Sequence, residues 1–69
     1  MIDYLVRTVA VGYDRAMKNG EAHYKGRVHK SVAREVNMGD FKKALESAGY
    51  QVVSMSSSRG AIDYSLLVQ

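Results

Sequence analysis

Four residues at alternate positions, His23, Lys25, Arg27 and His29, would place two imidazoles, an ammonium and a guanidinium on one side of any extended segment. The even positions between and around them read Ala22, Tyr24, Gly26, Val28, Lys30 and Val32, which are mostly apolar. The chemistry such a row can do is anion binding. Cations that neutralise phosphates release condensed counterions, which gives salt-dependent affinity without any contact to a base. Tyr4, Tyr13 and Tyr24 could add stacking if they are exposed. An ordinary solvated sheet face calls for the same polar residues, and lysine at a sheet edge blocks unwanted strand pairing.

Other chemistry finds less support. His23 and His29 would stand about 20 Å apart along one strand, too far to chelate one ion. If they lie on a binding face, their protonation below about pH 6.5 would strengthen anion binding. There is no cysteine, so thiolate nucleophiles, zinc-thiolate sites and disulfides are excluded. Asp14, Asp40 and Asp63 have structural roles available and show no paired spacing for general acid and base work. No G-x-S-x-G context surrounds a serine, and the glycines are too scattered for a phosphate-cradling loop. No glycine-rich RNA-binding motif, helix-turn-helix spacing or zinc-finger spacing accompanies the basic row. The residues therefore predict a non-enzymatic chain with no catalytic residues, no metal and no cofactor.

The charge is unevenly placed. The 69 residues hold 10 Lys+Arg against 7 Asp+Glu, a formal net charge of +3. Residues 15–34 contain Arg15, Lys18, Lys25, Arg27, Lys30 and Arg34 against Glu21 alone, a net of +5, and the remainder carries −2. The candidate binding set is therefore Arg15, Lys18, His23, Tyr24, Lys25, Arg27, His29, Lys30 and Arg34.

Length and composition bound the scaffold that must position these groups. Residues 1–69 make a single small domain, 46% hydrophobic, without the apolar run of a transmembrane span or the basic-then-apolar order of a signal peptide. The expectation is a soluble, cytoplasmic chain. A domain this small buries only about 60% of its unfolded surface. With no disulfide to help, self-association, most simply as a homodimer, is expected.

Local signals predict the elements. Phe41, Ala44, Leu45 and Ala48 form one apolar stripe, Asp40 can cap, and Gly49 can end the helix, so a helix is expected over 40–48. Tyr50 to Ser57 and Ala61 to Val68 flank Arg59-Gly60 as a hairpin. Its register sets Val53 against Leu66, Met55 against Tyr64, Ser57 against Ile62, Ser56 against Asp63 and Ser54 against Ser65. Asn19-Gly20 is a strong hairpin-turn signal and predicts an earlier hairpin, with Tyr13 opposite Gly26, Asp14 opposite Lys25 and Val11 opposite Val28. A rival reading fits residues 2–17. Ile2, Leu5, Val6, Val9, Tyr13, Ala16 and Met17 follow helical spacing, although Tyr4 and Val11 break the stripe and Gly12 weakens a helix.

The expected fold is α+β, in the order ββαββ: two hairpins in a small antiparallel sheet with one helix packed on one face, or an N-terminal helix in place of the first strand. The expected function is a small nucleic-acid-binding module using a basic β-ribbon over residues 15–34. The alternative is a protein-interaction module, an inhibitor or adaptor of the kind carried by phages and mobile elements, docking on a larger acidic partner. Neither reading involves a membrane or a small-molecule substrate.

Overall fold

The computed structural model describes all 69 residues. In chain order it contains α1 (Ile2–Lys18), β1 (His23–Val28), α2 (Lys30–Ala33), α3 (Met38–Ser47), β2 (Gln51–Ser58) and β3 (Ala61–Leu67). The strands form one antiparallel sheet in the order β1-β3-β2. The fold is α+β, but it has three strands rather than four, and a helix comes first. The first hairpin does not exist.

The helical stripe wins at the N-terminus because the sheet leaves that segment something to cover. Leu5, Val9 and Ala16 are buried, with Val6 and Tyr13 packed beside them. Tyr4 and Val11, which break the stripe, lie on the opposite side of α1 and are exposed. Asn19-Gly20 closes the helix instead of turning a hairpin. The Glu21 amide donates to the Ala16 carbonyl and the Gly20 amide to that of Met17, both through Gly20 at φ +73°. Type I′ hairpins and helix C-termini both need positive φ, so Asn-Gly signals either one. The expected pairing of Asp14 with Lys25 is replaced by an exposed ion pair within the helix, Asp14 to Lys18 at 3.0 Å.

The second hairpin has the expected turn. Arg59 and Gly60 both take positive φ, 52° and 85°, and Ser58 faces Ala61. Met55 faces Tyr64, Ser57 faces Ile62, Ser56 faces Asp63 and Ser54 faces Ser65. Beyond Ser54 a bulge intervenes. Val52, not Val53, lies opposite Leu66, and Val53 turns out to solvent at 52% exposure.

Helix α3 begins two residues before the expected start. Asn37, not Asp40, is its cap: Asn37 Oδ1 accepts from the Asp40 amide at 3.0 Å. Gly49 ends it at φ +97°, with the Tyr50 amide donating to the Leu45 carbonyl.

Both long helices cover one face of the sheet. The core joins Leu5 and Val9 of α1, Val28 of β1, Ala33 of α2, Phe41 and Leu45 of α3, and Ile62, Tyr64 and Leu66 of β3. Strand β3, central and buried along most of its length, holds the two edge strands together.

Two tyrosines lie where glycines leave room. Gly26 has Tyr64 over it and Gly12 has Tyr24 over it, each so close that a β-carbon would overlap the phenol. The aromatic cover expected for Gly26 is real, but it comes from β3. Gly26→Ala is expected to destabilise the domain by about 1–3 kcal/mol, because the Tyr64 ring is wedged against Phe41 and cannot retreat. Gly12→Ala displaces the half-buried Tyr24, but a helical alanine recovers about 1 kcal/mol over glycine. Urea midpoints will therefore place Gly26→Ala well below Gly12→Ala; equal midpoints would contradict this packing.

Burial, and secondarily the neighbouring Tyr24, raise the Tyr64 pKa above its ordinary value. The folded state thus holds the Tyr64 proton more tightly than the unfolded chain does. Stability is retained below about pH 10 and declines as pH rises above it. In Tyr64→Phe this alkaline decline should be shallower; an unchanged pH profile of the thermal midpoint would count against the assignment.

Candidate nucleic-acid interface

Alternation along β1 sorts the basic residues as the sequence implies, up to a point. His23, Lys25 and Arg27 are exposed on the sheet face that carries no helix, while Tyr24, Gly26 and Val28 turn inward. That open face is mostly polar, although Ala61 and Leu67 of β3 share it. In pairing order, Lys25 lies beside Ser65 and Ser54, and Arg27 beside Asp63 and Ser56. A shallow depression of about 440 Å³ lies over these residues. Arg27 is not a free cation. Its Nε donates to Asp63 Oδ1 at 2.6 Å and its Nη2 to Oδ2 at 3.4 Å, and this hydrogen bonding, followed by the carboxylate charge, raises its already high pKa.

His29 leaves the row. The strand ends at Val28, and His29 becomes the cap of α2, its Nδ1 accepting from the Ser31 amide at 3.1 Å. There it joins a second group. Arg27, His29, Lys30, Ser58 and Arg59 line a notch of about 420 Å³ at the end of the sheet. Three segments meet here: the end of β1, the start of α2 and the tip of the β2–β3 hairpin. Gly60 lies against Lys30, so that a β-carbon on it would stand 3.5 Å from the Lys30 β-carbon. Arg27 borders both the notch and the open face.

The remaining candidates scatter. Arg15 and Lys18 lie on the outer side of α1, in the helical layer, and do not join the β1 row. The basic ribbon over 15–34 is therefore corrected: its first residues belong to a helix, and β1 pairs with β3. Tyr24 is half-buried on the helix-covered side, edge-on to Tyr64 with centroids 6.1 Å apart, so it offers no stacking surface. Tyr13 is occupied likewise, edge-on to Tyr50 at 4.9 Å. Arg34 caps the C-terminus of α2 and is exposed.

Sequence reasoning passed over three cations. Arg59 is carried outward by the hairpin turn, and the turn signal alone was enough to place it at a tip. Lys42 and Lys43 are both exposed on α3, Lys43 opposite Phe41 and Leu45, and Lys42 on the flank beside Val52 to Met55 of β2. Their importance depends on what precedes α3: α2, then four residues, Arg34 to Asn37, then α3. A short helix, a four-residue turn and a longer helix therefore run in series, although α2 is only four residues long and leaves no periodic trace in the sequence.

No protein-family model, curated protein or solved structure matches this chain. Its chemistry has to be read from its own residues. No group of three or more His, Asp or Glu side chains gathers anywhere in the fold, and no helix is long and apolar enough to cross a membrane.

Proposed function

We propose that this chain is a small, non-enzymatic, cytoplasmic nucleic-acid-binding module whose target is duplex DNA. The observation that carries the reading is the series of α2, a four-residue turn and α3, followed by a β-hairpin whose tip, Arg59-Gly60, returns beside the start of α2. Helix-turn-helix modules lay their second helix in the major groove while flanking elements hold the backbone. Here α3 is the groove helix, presenting Gly39, Lys42, Lys43 and Glu46, and the hairpin serves as a wing. Connectivity bears on function only by analogy of fold, so the side chains must supply the rest. They do so in the notch, where Lys30 and Arg59 have no acidic partner within ion-pair distance. Arg34 lies at the end of α2.

Duplex DNA suits this surface better than single strands or RNA. No aromatic side chain lines the notch, and a helix enters the DNA major groove but not the deep, narrow groove of A-form RNA.

Fluorescence anisotropy with a random duplex tests the reading. Five free cations, Lys30, Arg34, Lys42, Lys43 and Arg59, predict a log-log salt slope of about −4, or a loss of about 10²-fold in affinity between 50 and 200 mM salt. No binding at the lower salt would end the proposal. Nuclease-resistant co-purification with one acidic protein would favour an adaptor role instead.

A further inference from the structure

Helix α1 carries a second stripe that the core does not use. Tyr4 and Val11 are each 63% exposed, with Thr8 between them and Arg15 one turn beyond. At 3.6 residues per turn, positions 4, 8, 11 and 15 form one line along an exposed flank of α1. Their alternating spacing of four, three and four is that of a two-helix seam. Thr8 fits it, because its hydroxyl donates back to the Tyr4 carbonyl at 3.0 Å and is thereby satisfied within the helix. Arg7 and Asp14 flank the line on one side.

We propose that this stripe joins two copies of the chain through antiparallel α1 helices related by a two-fold axis. Charge selects the second copy as occupant and fixes its direction. Parallel pairing would set Arg15 against Arg15 within the seam and leave Arg7 and Asp14 without a charged partner across it. Antiparallel pairing about a point midway between Thr8 and Val11 reverses this. Tyr4 then meets Arg15 of the second copy, a ring face against a guanidinium. Val11 meets Thr8, and Arg7 meets Asp14 along the flank. Each contact occurs twice, as an isologous interface requires. The Asp14–Lys18 pair already present is exposed and weak, so it does not hold Asp14 away from the new contact.

The 17-residue helix is about 25 Å long. One such pair of helices buries less than the roughly 800 Å² per partner of a standard interface, so the dimer is reversible. The open sheet face lies on the side of the sheet that carries no helix, so the dimer leaves both open sheet faces outward.

Sedimentation equilibrium on the protein alone, without DNA, tests the proposal independently of the binding reading. Over about 10 μM to 1 mM the apparent mass should climb from 7.7 kDa toward twice that value. Val11→Glu should remain monomeric throughout, with an unchanged circular dichroism spectrum because Val11 is exposed. Arg7→Asp alone and Asp14→Arg alone should each weaken association at least about tenfold, and the two together should restore it. A monomer at every concentration, a dimer that survives Val11→Glu, or single swaps that the double swap fails to rescue would each overturn the proposal.

Discussion

Phe41→Ala is expected to unfold most of the domain at room temperature. Phe41 has no exposed surface and sits where α3 meets the sheet, its ring edge-on to Tyr64 with centroids 5.6 Å apart. Removing a fully buried phenyl ring costs about 3–5 kcal/mol through lost transfer free energy and the cavity left behind. A chain of this length has only about 3–10 kcal/mol of total stability. The loss is thus comparable with the whole, and no disulfide limits the unfolded chain. Far-UV circular dichroism should show the variant largely unfolded, or with its urea midpoint close to zero. Phe41→Leu keeps most of the volume and should lose less than about half as much. An alanine variant with a midpoint near that of the parent would mean that the helical layer and the sheet do not share one core.

The second large effect concerns binding. Lys30→Glu and Arg59→Glu together should lower affinity for duplex DNA by more than about 10²-fold near 100 mM salt, and reduce the salt slope by about two. Each reversal removes a phosphate contact and adds a repulsive one. Both residues are exposed, so the fold should be indifferent to the change. Arg27 is the wrong residue to mutate first, because its loss would strand the carboxylate of Asp63, to which it donates two hydrogen bonds. Lys25→Glu, on the open sheet face and away from the notch, is the informative comparison. It should change affinity less than about threefold, the modest long-range effect of one screened surface charge. Equal losses for Lys25→Glu and the notch pair would move the interface to the open sheet face.

The parts of the fold that were legible in the sequence are those whose signals agree at every level. In the second hairpin, turn chemistry at Arg59-Gly60 and the two-residue period of both strands point to one register. In α3 the stripe, the polar cap and Gly49 agree in the same way. The N-terminal half fails that test. Tyr4 and Val11 blur the helical period because they face away from the core, and strand-favouring valines sit in a helix. Tertiary packing overrides their propensity. The alternation of His23, Lys25 and Arg27 was readable because it needs only an extended backbone. The partner of that strand was not, since β1 crosses to β3, 36 residues away at the Arg27–Asp63 pair. The notch was least legible of all. It draws on three segments, and α2 is too short to announce itself.

Strand β3 lies between the other two and is the last of the six elements in the chain. During synthesis, α1, β1, α2, α3 and β2 all leave the ribosome before the strand that joins them exists. Until then β1 has no neighbour, and β2 is a serine-rich ribbon with nothing to pair against. A nascent chain stalled or clipped before Ala61 would therefore retain isolated helices and no sheet. The domain cannot mature in stages from its N-terminus, as larger proteins do. Quality control meets either a complete molecule or an unfolded one. A premature stop codon anywhere ahead of the last strand would be as damaging as one near the start.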